Sequence, residues 1–393
     1  MSWTVKSISA EWRNVYCRAR VSGVFPIKLF EPVEAVKEEA NGGFSLPVDL
    51  IRVSGIFLVV LLHVTNTFYD QIYQSPFNAG SWWTYTVYKS LSLPCVPLFV
   101  ILSGALLLQP SKINEPIKFF LKKRVNRIGL AFCFWTAIYI VWGFYVTKAA
   151  LTLNNVNQSI IISLFTGAHY QFWFLYLIAG LYLVTPVLRA VIGFNNPKLV
   201  SYLIILWLIG IAVVPLVPLF TSYSINGEVF IIGGYIGYFL LGFYLQNARM
   251  RRGYAYSFVI LGILLTIGTT WIMNFPLHPL GQYYYFFDYL AINVVVASIA
   301  LYALLSRFNG DWPGANHPQI GKLTQLISQN TLPIYLFHVM IVEALVIGAF
   351  GFTLNLTYMP IVEIPVVAVA ILLLTLGLVL LMKKVPILRR LIG

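Results

Sequence analysis

The sequence predicts an all-α polytopic membrane protein, a bundle of about ten transmembrane helices with both termini cytoplasmic. Three observations carry that reading. Of the 393 residues, 59% are hydrophobic and only 10% charged, with a mean hydropathy of +0.81, whereas soluble domains carry roughly a quarter of charged residues. Apolar runs recur at roughly 49–69, 84–109, 128–147, 170–190, 199–219, 229–246, 255–273, 284–306, 331–350 and 359–382, each near the ~20 residues that a helix needs to cross a bilayer. Lys and Arg collect in every second loop, as their bias toward the cytoplasmic side requires.

Taken in order, residues 1–46 form a cytoplasmic N-terminal extension. They hold six basic residues (Lys6, Arg13, Arg18, Arg20, Lys28, Lys37) and five acidic ones, without an apolar run long enough for a signal peptide. Trp3, Trp12, Val15 and Tyr16 fit a short interfacial helix; a disordered leader fits them equally well. The membrane domain runs from 47 to 385, and residues 386–393 are a short cytoplasmic tail.

The loop charges orient the spans. Lys112, Lys118, Lys122, Lys123, Arg124 and Arg127 follow the second run, Arg189 and Lys198 the fourth, Arg249, Arg251 and Arg252 the sixth, and Arg307 and Lys322 the eighth. Lys383, Lys384, Arg389 and Arg390 follow the tenth. Among the odd-numbered exits Lys148 is the clear exception, with Lys89 just inside the second span. This pattern also accounts for the formal net charge of +13, so nucleic acid is not an expected partner. Cys17, Cys95 and Cys133 are too few and too scattered for a disulfide framework or a zinc site, and no metal is expected. No internal repeat with paired broken helices is evident, which argues against a secondary transporter.

The first span sets the terms for function. It opens with Asp49 and Arg52 and carries His63 deep inside. At ~1.5 Å and ~100° per residue, Arg52 and His63 lie roughly 16 Å apart and within about 20° of one helical face. Ionisable residues at membrane depth are costly and mark functional sites by default; a histidine hydrogen-bonded to a neighbouring helix is the structural alternative. After the second span, Phe119–Arg127 places Arg124 and Arg127 one turn apart if helical, beside Lys123, and a guanidinium pair suits phosphate oxygens. Orientation of the span and attraction to anionic lipid explain the same charges without a ligand.

Pro94 and Pro97 imply a kink or local opening in the second span, and Ser103–Gly104 suits close helix packing. The outer segment from Thr147 to His169 is long enough to cover a pocket mouth. The aromatic stretch from Trp271 to Asp288 fits a membrane belt, with stacking on sugar rings as the sharper reading. The ninth span starts behind Asn330 or Thr331 with Pro333 in its first turn; Tyr335 and His338 share a face, and Glu343 adds another ionisable group. A bundle containing Arg52, His63, His338 and Glu343 is expected to enclose a polar cavity.

In this order these elements resemble the acyltransferase 3 family of integral-membrane acyltransferases. Asp49, Arg52 and Gly55 match its Asp-x-x-Arg-x-x-Gly, followed by the in-membrane His63. Val96–Gly104 is similar to its apolar segment ending in Ser-Gly, Arg124 and Arg127 to its Arg-x-x-Arg pair, Gln171–Tyr176 to its Trp-Phe-Leu element, and Thr331–His338 to its late Tyr-Leu-x-His element. The resemblance covers about residues 46–385.

It implies an acyl-CoA donor, most often acetyl-CoA, anchored by Arg124 and Arg127 with Lys123. It further implies a surface polysaccharide or lipid-linked sugar as acceptor. His63 is then expected to act as general base, with an acyl-histidine intermediate as the alternative. Arg52 would stabilise the donor or fix Asp49, and His338, Glu343, Tyr335 and Trp173 would orient the acceptor. The expected setting is the bacterial cytoplasmic (inner) membrane, with membrane lipid as a partner and a homo-oligomer admitted. The chain beyond the tenth span is too short for the extracytoplasmic hydrolase-like domain of some members, so transfer is expected to finish in the membrane domain or through a separate protein. Two alternatives compete: a non-enzymatic carrier or flippase for a lipid-linked sugar, and an acyltransferase for a small hydrophobic molecule.

Overall fold

The computed structural model describes residues 30–32, 46–73, 78–194, 196–216, 234–246, 248–272, 285–308 and 317–393. Among them the chain is helical apart from one short antiparallel pair, β1 (Phe30–Pro32) with β2 (Ala248–Met250), in the register Phe30 opposite Met250. The expected interfacial helix around Trp3–Tyr16 and most of the Trp271–Asp288 aromatic stretch lie outside the described residues.

The helices are α1 (Leu46–Ile72), α2 (Ala79–Ser92), α3 (Cys95–Leu107), α4 (Ile117–Thr147), α5 (Leu153–Thr166), α6 (Trp173–Gly193), α7 (Pro197–Leu208), α8 (Ile236–Leu245), α9 (Arg252–Ile272), α10 (Ile292–Leu305), α11 (Pro318–Gln329), α12 (Thr331–Val346), α13 (Pro360–Met382) and α14 (Pro386–Leu391). Seven stretches among the described residues are long and apolar enough to cross a bilayer, and an eighth if the bent pair α11–α12 counts as one. The two remaining predicted spans, 199–219 and 229–246, fall partly outside the described residues; α7 and α8, their described parts, are apolar helices of 12 and 10 residues.

Local chemistry accounts for the breaks. The second predicted span is interrupted at Leu93–Pro94, between α2 and α3, where proline withholds a backbone donor. The chain turns by 80° at Asn330, between α11 and α12, and Pro333 then falls in the first turn of α12, where its missing N–H has no intrahelical acceptor to lose. The segment expected as an outer covering loop is in part helical. Thr152 caps α5, accepting from Asn155 N–H at 3.2 Å, a start that its asparagine-rich sequence hid.

The chain divides into two compact units. The first comprises residues 1–58, 77–113 and 187–325, the second 59–76, 114–186 and 326–393. In the first unit α3 and α8 cross with their backbones in contact. A Cβ on Gly104 would sit 1.9 Å from the Phe239 carbonyl oxygen, and one on Gly242 1.9 Å from that of Ile101, so small residues set the helix spacing. Gly262 lets α9 approach α10 at Ala297 in the same way, beside a hydrogen bond from Asn293 to Thr266 (2.7 Å). The second unit packs α12 against α13, and α4 against α5 and α14.

Candidate active site

The second unit carries the site, and α4 is its frame. At roughly 100° per residue, Phe120, Arg124, Arg127, Ala131, Trp135 and Trp142 fall on one face. Phe120, Ala131 and Trp135 are buried; Arg124, half-buried, continues their stripe, and Arg127 lies on the same face at the surface. The Arg124 guanidinium lies over the rings of Phe120 and Tyr182, 5.4 and 5.6 Å from their centroids. Its Nε is buried without a hydrogen-bond partner among the described residues. Arg127 and Lys123 are exposed.

Fifteen residues beyond Arg127, or roughly 22 Å along the axis, the same stripe reaches Trp142. Its indole N–H donates to Oε2 of Glu343 at 2.8 Å. The other carboxylate oxygen, Oε1, lies 2.7 Å from Nε2 of His169, whose Nδ1 is 2.6 Å from Oε1 of Gln171. Glu343 is therefore held from both sides.

His169 sits on a tight turn, Tyr170–Phe172, that leads directly into α6. Gly167 makes the approach: its φ is +92°, and a Cβ there would lie 2.7 Å from the Cβ of Phe172, so glycine alone fits. Tyr335 of α12 donates to the Gln171 carbonyl at 2.6 Å, and Tyr139 of α4 donates to the Leu336 carbonyl at 2.8 Å. Buried hydroxyls thus fasten the turn and α4 to α12.

His63 completes the cluster. Its ring centroid is 5.0 Å from that of His338 and 5.3 Å from that of Tyr170; its Nδ1 is 3.3 Å from the Tyr170 hydroxyl. Tyr170 in turn lies 4.5 Å, ring to ring, from His169. Beyond His63, Gln71 donates to the Leu354 carbonyl (2.8 Å) and accepts from Leu356 N–H (3.0 Å), which ties the end of α1 to the stretch before α13. His338 is fully buried, with Nδ1 3.1 Å from the Ile334 carbonyl. A carbonyl only accepts, so Nδ1 carries the hydrogen. Nε2 is left buried with no partner among the described residues.

Of the residues singled out in the sequence, His63, His338, Tyr335 and Glu343 meet in this cluster, Glu343 through His169. Trp173 opens α6 directly after the turn, 37% exposed, with its ring against Phe174. Arg124, Arg127 and Lys123 lie along α4 toward its start. Asp49, buried, and Arg52, half-buried, occupy the early turns of α1 in the first unit; the helix continues unbroken from them to His63. Sequence reasoning missed His169, Tyr170, Tyr139 and Trp142. The available signal was the position of His169, one of only five histidines, two residues before the element that begins at Gln171.

Seven or more membrane-length helices among the described residues, with a histidine–carboxylate cluster and an arginine pair in the second unit, define a polytopic membrane protein with a polar site in that unit. A family model described as an acyltransferase domain matches residues 47–382, and the chain belongs to this family, the acyltransferase 3 family. It is a membrane acyltransferase. No curated protein and no solved structure matches the chain at a significant level.

Proposed function

We propose that this membrane acyltransferase moves an acetyl or other acyl group from cytosolic acyl-CoA to a hydroxyl of a surface polysaccharide or lipid-linked sugar. The setting is the bacterial cytoplasmic membrane, with ten spans and both termini in the cytosol. One observation carries the reading: a single face of α4 joins an arginine pair at one end to Trp142 and the Glu343–His169 cluster at the other. Such a rail suits a donor whose charged head and reacting carbonyl are far apart.

The α4 residues fit that donor. Aromatic rings flank Arg124, and its buried, unpartnered Nε–H suits a phosphate oxygen better than bulk water. Orientation alone would not need Arg124 held between two rings with its Nε buried. When bound, acyl-CoA supplies an activated thioester. His63 takes the proton of the acceptor hydroxyl as the acyl group moves and returns it to the departing thiolate. With Nδ1 against the Tyr170 hydroxyl, Nε2 is the nitrogen that does this work. His338 presents its lone pair beside His63 and orients the acceptor hydroxyl; Glu343 fixes His169 behind Tyr170. Tyr335 acts by positioning the turn, and Trp173 borders the acceptor.

The test uses membranes containing the protein, radiolabelled acetyl-CoA and acceptor glycan. Label is expected in the glycan. Sugar movement across the membrane without label transfer would instead support a carrier. Replacing both Arg124 and Arg127 by Ala should weaken CoA binding by roughly ten- to a hundred-fold, the scale of charge-assisted hydrogen bonds. Unchanged binding with inverted insertion would assign the pair to topology alone.

A further inference from the structure

The contacts around His63 form a closed circuit within the second unit. His63 Nδ1 stands 3.3 Å from the Tyr170 hydroxyl, the Tyr170 ring 4.5 Å from that of His169, and His169 Nδ1 2.6 Å from Oε1 of Gln171. The return runs through Tyr335, which donates to the Gln171 carbonyl at 2.6 Å. Its ring lies 6.0 Å from that of His338, which is 5.0 Å from that of His63. Most polar groups here are spent on one another: both Glu343 oxygens, both His169 nitrogens and the hydroxyls of Tyr170 and Tyr335 have partners.

Two buried atoms of the circuit have no hydrogen-bond partner among the described residues, Nε2 of His338 and Nε2 of Gln171. Their residues are 0% and 1% exposed. The two are complementary. His338 offers a lone pair, since its hydrogen is on Nδ1 against the Ile334 carbonyl, whereas Gln171 offers an amide N–H. With Oε1 turned to His169, that N–H is turned toward Tyr139 of α4, without the geometry of a hydrogen bond; the Tyr139 hydroxyl gives its own hydrogen to the Leu336 carbonyl. A buried donor left unmatched destabilises a fold unless a bound group takes it. Tyr139 stands on α4 between Trp135 and Trp142, so such a group would meet the amide along the face assigned to the donor.

We propose that the side-chain amide of Gln171 donates to the acyl carbonyl oxygen, which makes Gln171 a catalytic residue of acyl transfer. This rests on the reading of His63 as the base acting on an acyl thioester. As the acceptor's hydroxyl oxygen bonds to the acyl carbon, its proton passes to His63 and the carbonyl π pair moves onto oxygen; that oxyanion takes the Gln171 N–H. The pair then returns, the carbon–sulfur bond breaks, and the departing thiolate takes the proton from His63. Held by His169 at Oε1 and by Tyr335 at its carbonyl, Gln171 is set before the reaction, as such a donor must be.

The test uses membranes containing the full chain, radiolabelled acetyl-CoA and acceptor glycan, with CoA binding and melting temperature measured on the same variants. Gln171→Glu keeps an oxygen for His169 and puts a second oxygen where the N–H stood; Gln171→Met keeps the length and removes both groups. Both should lose roughly 10²- to 10³-fold in kcat, the effect of removing one oxyanion donor, with KM, CoA binding and melting temperature close to the parent's. A Glu variant at the parent's rate beside an impaired Met variant would reduce Gln171 to holding His169, and would overturn the proposal while the base reading stands. So would a rise in KM at unchanged kcat, which marks a contact already made in the ground state, or a loss of rate in both variants that follows a loss of melting temperature. If the parent itself transfers no label, the proposal and the base reading fall together.

Discussion

The two units solve opposite problems. In the first, α3 and α8 meet glycine to backbone, at Gly104 and Gly242, with carbonyls where side chains would otherwise stand. In the second, the corresponding space holds rings and charges: His63, His169, His338, Tyr170 and Glu343 within a chain of contacts from 2.7 to 5.3 Å. Close backbone packing needs small residues and yields rigidity without chemistry. A polar network in an apolar domain needs every partner in place and yields reactivity. The difference assigns scaffold to one unit and chemistry to the other, and substitutions should separate along the same line.

The largest effect is expected from Gly242→Leu. Its side chain has no room beside the Ile101 carbonyl, and overpacking of this severity costs on the order of 3 kcal/mol or more. Folded protein recovered in detergent should fall to a small fraction of the parent's, which a yield and melting measurement would read. A stable Gly242→Leu protein would break the assignment of rigidity to the first unit.

Glu343→Gln should behave differently. Gln can still accept from Trp142, so the protein should fold, but His169 loses its carboxylate partner. Displacing a group by an ångström costs up to ~100-fold in rate, and a loss of about ten-fold in acyl transfer is expected at unchanged melting temperature. A change in melting alone, with the rate preserved, would make the pair structural.

The smallest effect belongs to Tyr170→Phe. It removes one neutral hydrogen bond to His63, worth about 1 kcal/mol, so transfer should slow by roughly five-fold. A rate identical to the parent's would remove Tyr170 from the site.

Much of this arrangement was legible in the sequence because it is local. The apolar runs located the helices, Pro94 located the break before α3, and the charge run 118–127 located the arginine pair before its helix was seen. His63 and His338 stood out as ionisable residues inside apolar spans, a one-dimensional signal. The His169–Glu343 pair did not, because its partners are 174 residues apart and His169 lies outside any uninterrupted apolar run. The docking of α14 was hidden for a related reason: a basic tail reads as solvated, and only the burial of Ile392 against Trp135 shows otherwise. In the middle of the chain α7 and α8 are apolar helices of 12 and 10 residues, and residues 217–233 between them lie outside the described residues.

The central claim is that His63 performs the proton transfer. It is tested most directly by measuring label transfer from acetyl-CoA to glycan with His63→Ala, alongside CoA binding by the same protein. The account predicts that CoA still binds while transfer falls by ~10²- to 10⁴-fold, the usual contribution of a general base. Transfer near the parent's rate by that variant would contradict it.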